Sequence, residues 1–206
     1  SSGGAVSADL TLELKSGNGN IWSDINPLVG TSTQSAEKTA VKVAKKYSNE
    51  ANKYDYFFNI DSDASIVEGP SAGAAMALLA ITALQEKNLP SNVSMTGTIS
   101  EDGKVGAVGG VFEKTKEASQ TGIKLFMIPK GEGKQTVKLP EGVQTIYLPD
   151  YAEKNWKIKV VEVSDIDEVL KFAFTNISEI DVNTSIESVK EYTPEPIQAH
   201  SSLALM

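Results

Sequence analysis

From Ala72 to Leu84 the chain reads Ala-Gly-Ala-Ala-Met-Ala-Leu-Leu-Ala-Ile-Thr-Ala-Leu, without a single charge. Alanine and leucine favour the helix, and a helix that is apolar on nearly every face must be enclosed by other structure. The run therefore predicts a buried central helix. It is entered through Val67-Glu68-Gly69-Pro70-Ser71, which puts one serine among small residues in the first turn. Unpaired backbone N–H groups and the positive end of the helix dipole meet there, a setting that stabilises an oxyanion. Pro70 suits a helix start, and the small neighbours let another backbone come close. Ser71 is the candidate nucleophile, with Gly69 and Ala72 shaping its turn and Glu68 three residues before it.

A serine hydroxyl needs a base to take its proton. The chain has no cysteine and one histidine, His200, in the proline-broken stretch Tyr-Thr-Pro-Glu-Pro-Ile-Gln-Ala-His. That setting reads as a solvated tail. The other choice is a lysine kept neutral by burial. Lys114 is the best placed, since it follows the Gly/Val-rich stretch Val105–Val111 and opens a short helix. Val105, Val108, Val111 and Phe112 are the apolar residues expected around it, and burial lowers a lysine pKa.

Three motifs in order, Gly69-Pro70-Ser71-Ala72-Gly73, Met95-Thr96-Gly97-Thr98-Ile99 and Gly109-Gly110-Val111-Phe112-Glu113-Lys114, closely resemble the proteolytic domain of the Lon proteases. The serine-to-lysine separation is the one that family uses, and the likeness covers roughly residues 5–174. Ser16-Gly17-Asn18-Gly19 and the stretch from Pro27 to Ala36 resemble archaeal Lon-like proteins that lack an ATPase module. The resemblance implies a Ser71–Lys114 dyad, with Thr96 matching the threonine that holds the lysine. Glu68 matches a frequent acidic position and is expected to tune or gate the site. Thr98 departs from the pattern, standing where many relatives carry Glu. The implied fold is the Lon proteolytic, ribosomal protein S5 domain 2-like architecture, and ring-like homo-oligomers are implied as well.

Periodicity alone points to an α/β fold with mixed sheets. Strands are expected over residues 5–15, 20–25, 54–60, 93–100, 104–108, 124–128, 144–148 and 157–163, and helices over 31–47, 72–84, 114–120 and 165–174. Ser16-Gly17-Asn18-Gly19 and Glu101-Asp102-Gly103 read as hairpin turns. Residues 5–176 are expected to form the proteolytic domain, and 177–206 a polar tail or the root of a further region.

A formal charge of −8 speaks against nucleic acid as a partner. No apolar run reaches membrane-spanning length. Cofactors and metals are not expected: Asp61-Ser62-Asp63 lacks the calcium-loop spacing, and no G-x-x-x-x-G-K-[ST] motif is present. Ser35-Ala36-Glu37-Lys38 spells S-x-x-K without its companion motifs. The expected activity is ATP-independent cleavage of unfolded or flexible polypeptide. The alternatives are an inactive Lon-like scaffold and an esterase that uses His200. By resemblance the location is exported or membrane-associated, with the cytoplasm as alternative. Asn92, Asn176 and Asn183 open N-glycosylation sequons.

Overall fold

A computed structural model describes residues 8–24, 27–63, 65–140, 142–180 and 201–205. The elements run β1 (Ala8–Ser16), β2 (Ile21–Ser23), β3 (Leu28–Val29), α1 (Thr31–Ala44), β4 (Tyr54–Asp61), β5 (Ile66–Val67) and α2 (Gly73–Leu84). They continue through β6 (Val93–Met95), β7 (Thr98–Ile99), β8 (Val105–Gly106), α3 (Val111–Gln120), β9 (Leu125–Pro129), β10 (Lys134–Leu139) and β11 (Gly142–Tyr147). The last are α4 (Leu148–Trp156), β12 (Lys159–Val163), α5 (Ile166–Ala173) and β13 (Ser201–Leu205). The fold is mixed α/β.

Among the described residues one sheet has the order β12-β9-β6-β13-β1-β4-β2, and three small sheets pair β10 with β11, β3 with β5 and β7 with β8. In the parallel unit β6-β9-β12 both faces are covered, as parallel strands require. Leu125 and Met127 of β9 join the core beneath α1, α2 and α5, while Phe126 and Ile128 pack against α3 and α4. Helix α2 is the centre of the larger core. Gly73 through Ala83 are all buried, and Met76, Leu78, Leu79 and Ile81 are fully enclosed. Each such side chain stabilises the fold by about 1.5–3 kcal/mol through its burial.

Several expectations change. The strand at Ile21–Ser23 exists, but it is not the return arm of a hairpin: β1 pairs antiparallel with β4, and β2 lies parallel on the far side of β4. The Gly17–Gly19 turn wraps around the start of β4 instead. The Asp55 carboxylate accepts the Asn18 and Asn20 N–H groups, and Gly17 and Gly19 donate to the Lys53 and Tyr54 carbonyls. The second hairpin signal is realised as the antiparallel pair β7–β8. The expected strand 93–100 is broken at Thr96–Gly97.

The C-terminal stretch also differs. Residues 201–205, expected in a polar tail, pair antiparallel with β1 and parallel with β6, and so stand inside the sheet. Ser1–Ser7, Ile25 and residues 181–200, including Asn183 and His200, lie outside the described residues.

Candidate active site

The site lies at the carboxyl end of β6, where α/β folds place their chemistry. Thr96 continues the β6–β9 ladder by donating its N–H to the Met127 carbonyl at 3.1 Å, and it is 1% exposed. Gly97 then crosses to the start of α2. Its N–H donates to the Ser71 carbonyl at 2.8 Å, and its carbonyl accepts the Ala74 N–H at 3.1 Å. A Cβ at Gly97 would lie 2.6 Å from Val105 Cγ1, so a side chain there would crowd Val105.

Ser71 occupies the middle of a 3-10 turn, Pro70–Ala72, that leads directly into α2. The turn is entered through Gly69 at φ 127, a conformation that disfavours a side chain. Ser71 is half-buried. The Gly73 N–H closes the turn on the Pro70 carbonyl, and with the Ala74 N–H held by Gly97 neither is free to meet an oxyanion.

Lys114 reaches the same place from the first turn of α3, whose N-cap Gly110 is left-handed at φ 70. Its Nζ donates to Thr96 Oγ1 at 3.2 Å, and that hydroxyl donates in turn to the Ser71 carbonyl at 3.4 Å. Lysine, threonine and serine backbone thus form one chain of contacts. Among the described residues the Ser71 hydroxyl makes no hydrogen bond to Lys114. Ligand-free sites often tighten only when substrate arrives.

Burial pushes the Lys114 ammonium below the usual lysine range. Because the Thr96 proton is committed to the Ser71 carbonyl, Thr96 meets Lys114 as an acceptor. A neutral Lys114 can therefore satisfy it with one N–H and keep its lone pair free. Of the apolar residues expected around the lysine, Val105 belongs to the core beneath α2. Val108, Val111 and Phe112 pack with the second cluster, Phe112 in an aromatic trio with Tyr151 and Trp156. Helical positions two apart do not share a face, which separates Phe112 from Lys114.

Glu68 is exposed and turned to the amino end of α1, where its Oε1 accepts the Ser32 N–H at 3.0 Å and the Ser32 hydroxyl. It contributes nothing to the lysine shift, whose cause is burial. Thr33, which the sequence did not single out, donates from Oγ1 to the Gly69 carbonyl at 3.1 Å. Gly97 also had no assigned role. The glycine after a threonine at a strand end was the signal for both the break and the close approach.

The sequence profile of the Lon protease (S16) C-terminal proteolytic domain matches residues 16–176. The chain belongs to the Lon proteolytic-domain family. Similar curated proteins include the Lon protease of Clostridioides difficile, 31% identical over 187 residues, covering 87% of this chain and 22% of that protein. The Lon protease of Haemophilus influenzae is 39% identical over 124 residues, covering 60% of this chain and 14% of its own length. An archaeal Lon protease from Pyrococcus abyssi is 35% identical over 132 residues, covering 64% and 12%. This chain thus spans between about an eighth and a fifth of those relatives. Its Lon domain is the part that carries the serine, threonine and lysine described above.

Proposed function

We propose that this Lon-type domain is a serine endopeptidase in which Ser71 is the nucleophile and Lys114 the general base, acting without ATP on unfolded or flexible polypeptide. The observation that carries the reading is the 3.2 Å contact between Lys114 Nζ and Thr96 Oγ1 beside the tethered Ser71 carbonyl. It sets a half-buried lysine and the nucleophile's own backbone on one threonine. Neutral Lys114 takes the Ser71 proton as Oγ attacks the peptide carbonyl, and then returns it to the departing amine. The developing oxyanion falls to the N–H groups of the Ser71–Ala72 turn, with the dipole of α2 behind them.

Acyl transfer from the serine ester to water regenerates the hydroxyl, with Lys114 again moving the proton. No step requires a nucleotide or metal, and the chain has no phosphate-binding loop motif. Glu68 and Gly69 serve by placing Ser71 rather than by moving protons. A His200-dependent esterase and an inactive scaffold are excluded together by one experiment. Fluorophosphonate should label Ser71 and casein should be cleaved; both should be lost in Ser71→Ala and Lys114→Ala and kept in His200→Ala. Labelling that needs His200, or no labelling of the folded protein, would overturn the assignment.

A further inference from the structure

Helix α1 has no cap of its own. Its N-cap is Gly30, which offers no side chain, and its first turn holds no acidic residue. A helix start leaves backbone N–H groups unpaired and favours a negative charge. Both needs are met from elsewhere in the chain by Glu68, which takes the Ser32 N–H and hydroxyl.

Gly30 leaves the room that this docking occupies. Its φ of −72 and ψ of 167 suit any residue, so no conformational demand calls for glycine. Space does: a Cβ there would coincide with the Glu68 carboxylate. The surrounding contacts run the same way. Gly30 N–H donates to the Val67 carbonyl at 2.9 Å, β3 pairs with β5, and Thr33 Oγ1 reaches the Gly69 carbonyl. The segment from Ile66 to Gly69 is sewn to the start of α1, and the chain then turns at Gly69 into Ser71.

We infer that Gly30, Ser32 and Glu68 form a positioning clamp that holds the approach to the nucleophile. Gly97 and Thr96 fix the Ser71 carbonyl from one side, and the clamp fixes the incoming strand from the other. Glu68 is a positioning residue, not a proton carrier, and Ser32 and Gly30 act through it. The inference rests on Ser71 being the nucleophile.

The rate of Ser71 phosphonylation by a fluorophosphonate tests it, measured below the melting temperature of each variant. Gly30→Ala and Glu68→Ala should each slow the reaction by about ten- to a hundredfold, the range that a misplaced reacting group costs. Ser32→Ala, which keeps the backbone donor, should lose less, and Ser32→Thr should restore the rate. The pH midpoint should not move, because Lys114 is untouched. Gly30→Ala should add no further loss in a Glu68→Ala background, since the clash partner is gone.

Additive losses, or a moved pH midpoint, would overturn the clamp. Should Gly30→Ala fail to fold, Ser32→Ala and its threonine rescue still decide, because only one hydroxyl changes. Wild-type rates in all variants, with labelling still lost in Ser71→Ala, would remove the clamp and leave the serine nucleophile standing. Labelling that survives Ser71→Ala would remove the nucleophile itself.

Discussion

Replacing Thr96 by valine keeps the shape of a 1% exposed side chain and deletes one hydroxyl. Two contacts go with it: the 3.2 Å acceptor for Lys114 Nζ and the 3.4 Å donor to the Ser71 carbonyl. The second is long, and Gly97 N–H still holds that carbonyl at 2.8 Å, so the loss falls on the lysine. In the active form that the mechanism requires, Nζ starts neutral, and such a bond contributes about 1 kcal/mol. As the serine proton arrives Nζ becomes an ammonium, and a bond to a charged group is worth about 1.5–3 kcal/mol. Only the difference, about 0.5–2 kcal/mol, raises the barrier, which converts to a loss of roughly two- to thirtyfold in kcat. At 3.2 Å the contact belongs toward the lower part of that range. The valine should also lower the midpoint of the pH–rate profile, because the ammonium loses more than the amine does. Single-turnover acylation of Ser71 across pH reads both quantities, and Thr96→Ser should recover most of the rate. A valine variant at wild-type rate with an unmoved midpoint would refute the role given to Thr96.

Lys114→Met should abolish cleavage yet make the fold more stable at neutral pH. Folding holds Lys114 below its usual pKa, so the unfolded chain binds more protons. The wild-type penalty is full below the folded pKa and fades as pH rises toward the ordinary lysine range, and denaturant melts of the two proteins should converge there. Glu37 is 2% exposed, with Oε2 accepting from Ser23 Oγ and Oε1 unpartnered among the described residues. Burial raises its pKa, against the pull of Ser23 and Lys38. Its stabilising contribution is therefore complete below the ordinary carboxylate range and lost as pH rises through the raised value. Glu37→Gln should flatten that loss in pH-dependent melts, and an unchanged slope would contradict it. Deleting residues 201–206 removes the strand between β1 and β6, so the shortened chain should melt lower or aggregate; an unchanged melting curve would contradict the pairing.

Some of this was legible in the sequence because local chemistry and tertiary packing agree. The uncharged run ending at Leu84 reads as a buried helix, and Gly-Pro-Ser-Ala-Gly as its tight entrance. Lys114 stood out by its glycine- and valine-rich approach. Features that rest on distant partners were not readable. Ser16-Gly17-Asn18-Gly19 has hairpin chemistry, but Asp55 captures its N–H groups and the turn wraps β4. Helix α4 starts at Leu148-Pro149 directly after β11, with no linker between strand and helix to mark it. The strand at 201–205 follows a proline-broken stretch, and only its neighbours β1 and β6 define it. Ser32 gave no signal beyond belonging to a helix that lacks its own cap.

The central claim is that Lys114, not a histidine, takes the proton from Ser71. The pH dependence of Ser71 acylation tests it most directly, measured for the full chain and for His200→Ala in parallel. A depressed lysine pKa predicts one rising limb, below the ordinary lysine range, with activity lost as Lys114 becomes charged. That limb should be the same in both proteins. A limb near about 6.5, the ordinary histidine value, that vanishes in His200→Ala would contradict the account.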